Sequence, residues 1–161
     1  MAAMAALALL TARPAAAATA TASFQVTATV LKACFVSTPA TLAFGAYTAS
    51  AASTSTTSFN VTCTVGTPYS VGLNAGNGTG ASVTNRLMTS ATAGAGNNLL
   101  TYGLFKDNAY STNWDNSASG TGLSGNGLLQ PYTIYGQIAA GQYAAAPAAD
   151  YVDTILLTVT Y

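Results

Sequence analysis

In TATASFQVTATVLKAC (Thr19–Cys34), Phe24, Val26, Ala28 and Val30 alternate with Gln25, Thr27 and Thr29. Alternation with a period of two writes a half-buried strand, one face on a core and the other on solvent. Only Leu31, Lys32 and Ala33 stand between Val30 and Cys34, with no Gly, Pro, Asn or Asp to build a hairpin. The strand is therefore expected to run on into Cys34 and to point away from the domain that follows. The alternative is one uninterrupted strand, Phe24–Val36, within the chain's own sandwich. That would be well above the usual strand length of about 5–6 residues.

The same alternation recurs downstream. CFVS and TLAFGAY read as a short, broken pair interrupted near Pro39. TSFNVTCTV puts Phe59, Val61, Cys63 and Val65 on one face, and YSVGLNA does so with Tyr69, Val71 and Leu73. TNRLMTS, NLLTYGLFKD, PYTIYGQI and DYVDTILLTVTY complete the set, the last with Ile155, Leu157, Val159 and Tyr161 in phase. Stretches rich in Gly, Asn, Ser and Ala separate them, and no segment after the N-terminal run has a helical period. Many short strands punctuated in this way indicate an all-β sandwich. The sequence stops inside its last strand, so that strand's far edge is expected to lie uncovered, where edge strands invite pairing with another chain. A spare strand at one end thus faces a vacancy at the other.

The 161 residues suffice for one domain with a real core. Four Lys+Arg, four Asp+Glu and no His leave no basic footprint for nucleic acid and little repulsion against self-association. MAAMAALALL followed by ARPAAAATA reads as a signal peptide, residues 1–19, with cleavage expected near Ala18–Ala20. Arg13 follows the apolar run instead of preceding it, which leaves the true start codon open. No later run reaches the ~20 apolar residues of a membrane span. After export, Cys34 and Cys63 read as one disulfide.

Catalytic and cofactor signals are missing. Without His there is no Ser-His-Asp or Cys-His system and no set of metal ligands, so neither an enzyme nor a metal or cofactor is expected. GTGLSG supplies Gly120, Gly122 and Gly125 in a dinucleotide-like spacing, but inside a loop rather than between a strand and a helix. Asp107, Asp115, Asp150 and Asp153 read as turn residues. Trp114 reads as core or rim packing, the alternative being a surface that stacks on sugars. NVT at Asn60 and NGT at Asn77 match the glycosylation pattern, the first in mid-strand.

LAFGAY, CTVGTPYSVGLNAG, RLM, YGLFKD, Trp114, YTIYGQI and DYVDTILLTVTY, in this order, resemble the spore coat protein U domain. That domain is the subunit of archaic, Csu-type chaperone–usher pili. The resemblance covers about Phe24 to Tyr161, and departs where the family often has Gly and this chain has Ala149 and Asp150. It implies an all-β, incomplete immunoglobulin-like β-sandwich completed by a donor strand from a neighbouring subunit. The expected organisation is a donor-strand extension at 20–33 and a pilin domain at 34–161. Phe24, Val26, Ala28 and Val30 would be the donor's knobs, and Ile155, Leu157, Val159 and Tyr161 would line the acceptor groove. Identical or related subunits, a periplasmic chaperone and an outer-membrane usher are the implied partners. The implied location is a surface fibre, reached through the periplasm, for adhesion and biofilm formation. The alternative function is a secreted, self-contained coat or carbohydrate-binding sandwich.

Overall fold

The computed structural model describes residues 17–117 and 122–161. The signal peptide's first 16 residues and Gly120 of the GTGLSG loop therefore lie outside the described residues. Residues 31–161 form one compact unit. Its strands are β1 (Cys34–Val36), β2 (Ser53–Cys63), β3 (Pro68–Leu73), β4 (Arg86–Thr89), β5 (Leu99–Phe105), β6 (Leu123–Ser124), β7 (Gln130–Ile138) and β8 (Leu157–Thr160). Among the described residues there is no helix.

A five-stranded sheet in the order β1-β2-β7-β5-β4 faces a three-stranded sheet in the order β6-β3-β8. Every strand pair is antiparallel. The alternation seen in the sequence decides what each strand buries. Phe59, Val61 and Cys63 of β2 meet Tyr69, Val71 and Leu73 of β3, with Leu100, Tyr102 and Leu104 of β5 and Ile134 and Ile138 of β7. Trp114 is buried among them, its ring 5.8 Å from that of Phe59, and its Nε1–H donates to Val71 O at 3.2 Å. It is a core residue. The Cys34–Cys63 disulfide joins β1 to β2 at a directly opposed pair.

Arg86 is fully buried, at 0% exposure. A charge taken out of water must be repaid by hydrogen bonds. Its guanidinium donates from Nε to Asn74 O (2.9 Å), from Nη1 to Val83 O (2.6 Å), and from Nη2 to Leu73 O (3.0 Å) and Trp114 O (2.7 Å). Burial lowers its pKa from the ordinary arginine value. The rigid fork of donors suits this carbonyl cage.

Three expectations change. TLAFGAY is not a strand: residues 38–52 belong to no ladder, although Leu42, Phe44 and Tyr47 turn inward. Part of the GTGLSG loop is a strand, because Leu123 and Ser124 pair with Tyr69 and Pro68. The Phe24–Val30 pattern forms no strand, since β1 begins only at Cys34. Phe24, Val26 and Val30 are instead 88%, 84% and 84% exposed. A strand takes its order from a ladder and a buried face, and a segment with neither stays unassigned however well its sequence alternates.

Candidate functional site: an open apolar groove beside the last strand

Asn74 N–H donates to Leu156 O at 3.1 Å, which makes this pair a bonded one in the β3–β8 ladder. Alternation along an antiparallel pair then turns the backbone groups of Thr158 and Thr160 toward β3 and those of Leu157 and Val159 the other way. On that far edge β8 pairs with no strand among the described residues. Their side chains meanwhile turn inward and stay half-buried. β8 therefore offers unpaired backbone groups and apolar side chains on the same stretch.

Beside this edge opens a cavity of about 1200 Å³. Its floor is core: Leu73, Met88, Leu100, Tyr102, Leu104, Ile134 and Ile138. One wall is the segment 38–47. Leu42 and Phe44 reach over β7 at Gly136, where a Cβ would come within 2.8 Å of Leu42 Cδ2 and 2.9 Å of Phe44 Cζ, so any side chain there would have to push these ends aside. No strand holds this wall; side chains do. Thr57 Oγ1–H donates to Ala40 O (2.8 Å), Ser53 Oγ–H to Phe44 O (3.1 Å) and Tyr47 Oη–H to Ala139 O (2.7 Å).

The opposite wall is the alanine-rich run 142–153 together with Ile155 and Leu157. Polar side chains within this run fasten it. The Gln142 amide accepts from Thr101 N–H and donates to Thr101 O, both at 2.8 Å, taking the place of a strand partner on β5. Tyr151 Oη–H donates to Ala146 O (2.8 Å), and Thr89 and Val152 exchange a pair of backbone bonds. Asp150 accepts from the Ser90 hydroxyl, from Thr92 Oγ1–H (2.7 Å), and from the N–H groups of Ala91 and Thr92 (3.0 Å each). The Ser90 and then the Thr92 hydroxyl bonds hold its carboxyl down to about 2. Tyr102 Oη–H donates to Asp153 Oδ2 at 2.7 Å; burial first, and then this bond, raise the phenol's pKa above its ordinary range.

Ile155 and Leu157, two of the expected groove residues, thus line the cavity. Val159 packs on the core without bordering it, and Tyr161 is 58% exposed beyond the end of β8. The wall at 142–153 was hidden within a low-complexity run. Its signal was Gln142, Asp150 and Tyr151, polar groups that have to find partners. Asp107, as expected, organises a turn, accepting from Ala109, Ser111 and Thr112 N–H. The described residues hold no group of three or more His, Cys, Asp or Glu placed to bind a metal.

The groove's lining is mainly apolar, along the open flank of β8. Comparison with known proteins fits this geometry. A solved structure that resembles the chain is the CsuC–CsuE chaperone–tip adhesion subunit pre-assembly complex of archaic chaperone–usher Csu pili from Acinetobacter baumannii. The match has 25% identity and a TM-score of 0.52, and covers 83% of this chain but only 41% of the matched one. No curated protein matches the chain significantly. The Spore Coat Protein U domain matches residues 20–158, and the chain belongs to that family.

Proposed function

We propose that this chain is a structural pilin that polymerises head to tail, Phe24–Val30 of one copy filling the groove of the next. The observation that carries this reading is a pair of unmet needs. β8 has a free edge over an open apolar groove, and an alternating apolar segment stands exposed elsewhere in the same chain. Phe24–Val30 is seven residues, roughly 20 Å of extended chain, enough to run the length of the four-residue β8. Strand addition would supply main-chain bonds for affinity, and pockets for alternate side chains would set register. Burying Phe24, Val26 and Val30 contributes very roughly 5–8 kcal/mol before ordering costs. Such a joint is heterologous, so it grows an open fibre.

A copy without its donor carries an exposed groove, which calls for a periplasmic chaperone before assembly and an outer-membrane usher to exchange it. The structural relative is named for a chaperone-bound pilus subunit, which agrees with this route. The fibre would stand on the cell surface and serve adhesion and biofilm formation. The test is to delete residues 19–31 and co-express the variant with the cognate chaperone and usher. Loss of the boiling-sensitive ladder on detergent gels is expected, and polymers that persist would sink the reading. A single monomer band from the intact chain at every temperature would favour the self-contained secreted sandwich instead.

A further inference from the structure

The end of the sandwich next to the disulfide carries apolar side chains that the core does not use. Val65, Leu128 and Leu129 are 79%, 69% and 67% exposed. They sit on two adjacent loops, and a Cβ at Gly127 would lie 3.1 Å from Val65 Cγ2. The stretches Cys63–Pro68 and Gly122–Gln130 hold no charged residue. These loops are not loose. Gly66 N–H donates to Gly125 O (2.8 Å), Gly125 N–H to Thr67 O (2.8 Å) and Gly127 N–H to Cys63 O (3.1 Å). Leu128 N–H is held by Asn126 Oδ1 at 2.9 Å. Hydrogen bonds and a disulfide thus present an apolar surface to water, where turns usually present polar groups.

Covalent geometry says what comes near it. Thr64, the neighbour of Val65, anchors the exit of the N-terminal extension: its N–H donates to Ala33 O (2.9 Å) and its Oγ1 accepts from Ala33 N–H (3.2 Å). From Ala33 back to Val30 the chain reaches at most about 10 Å. If Val30 lies in another copy's groove, that part of the groove is held within this distance of Ala33, which is itself bonded to Thr64 beside Val65. The groove's own rim is apolar and exposed as well, with Tyr143 and Val152 both bordering the cavity at 78% and 66% exposure.

We infer that Val65, Leu128 and Leu129 form an apolar collar that packs against the groove rim of the next copy, at Tyr143 and Val152. This rests on the donor-strand reading and adds a second contact to each joint. The donor strand ties successive copies together; the collar restrains the angle between them. Contact of this kind removes two apolar patches from water at once, and the short tether has already limited the freedom that docking costs.

The test uses full-length protein secreted through its own chaperone and usher, with Leu128 replaced by the photo-crosslinking residue p-benzoylphenylalanine. Irradiated fibres are expected to give boiling-resistant dimers whose linked peptide maps to residues 142–154. Absence of the dimer, or a linked peptide elsewhere, in fibres with a normal boiling-sensitive ladder overturns the collar and leaves the donor strand standing. Absence of that ladder from the unmodified chain overturns both. The same residue placed at Val65 gives an independent second attachment point. A L128S/L129S double variant should keep the ladder and broaden the spread of angles between successive subunits in micrographs; an unchanged spread would count against the collar.

Discussion

β2 holds Phe59, Val61 and Cys63 at 1%, 0% and 1% exposure, with β7 beside Phe59 and Val61 and β1 beside Val61 and Cys63. β8 lies against β3 alone, and its inward Leu157 and Val159 stay half-buried. Both strands are written in the same alternation, so the difference does not come from their own residues. It comes from what stands on either side. A side chain on a paired strand is covered by neighbours from both flanks, whereas one beside an open edge is covered from one flank only. The half-burial of β8 goes with its open flank, and the apolar groove lies alongside it.

The comparison breaks most severely if the closed side is opened. Arg86→Met would leave the carbonyls of Leu73, Asn74, Val83 and Trp114 without their donor. At about 1–3 kcal/mol for each buried group left unsatisfied, the loss should exceed about 4 kcal/mol, to be read as failure to fold or a collapsed denaturation midpoint. Next in size is the disulfide. The Cys34→Ser/Cys63→Ser pair opens a loop with sequence separation 29, and loop-closure entropy predicts a loss of about 3–4 kcal/mol in urea unfolding.

A smaller effect tests the comparison directly. Leu73 and Leu157 are opposite one another in the β3–β8 ladder, the first fully buried and the second half-buried. Leu73→Ala should cost the monomer about 3 kcal/mol, and Leu157→Ala only about 1 kcal/mol. If the groove is filled in fibres, Leu157→Ala should weaken the fibre's resistance to denaturant far more than the monomer's. Equal costs in the monomer would mean that β8 is not the open side.

The smallest effect concerns the wall at 142–153. The Ser90 and Thr92 hydroxyls hold the Asp150 carboxyl down to about 2, below the roughly 3.9 of an unfolded aspartate. Stability from this group is therefore fully present above about pH 4 and fades as the pH falls toward 2. Asp150→Asn should lower the thermal midpoint at neutral pH, and the gap to the parent should close between about pH 4 and 2. A gap that stays constant across that range would show that the carboxylate does not fasten the wall.

Much of the fold was legible because alternation and burial are the same statement in an antiparallel sheet. β2, β3, β5 and β7 lie where their apolar phase puts them, and Trp114 is in the core. The groove's walls were less legible. Leu42 and Phe44 alternate as a strand does, yet no ladder forms, because hydroxyl groups from Ser53 and Thr57 take up carbonyls there. Asp150, expected as a turn residue, proved to be a fastening group as well, through Ser90 and Thr92. Arg86 showed nothing in the sequence to separate it from a solvated surface charge, since its partners are backbone carbonyls, which every residue has.

By itself the sequence determined the all-β class, the disulfide between Cys34 and Cys63, the family, and the alternating segment Phe24–Val30 whose strand pattern no hairpin residue folds back. These follow from local periodicity and residue chemistry, which need no knowledge of what lies nearby in space. Only the tertiary structure decided that β3 is the partner of β8 and that residues 38–47 and 142–153 rise as walls around an apolar groove. An edge is open or closed according to which distant segments arrive beside it, and that is a property of packing, not of any strand's own sequence.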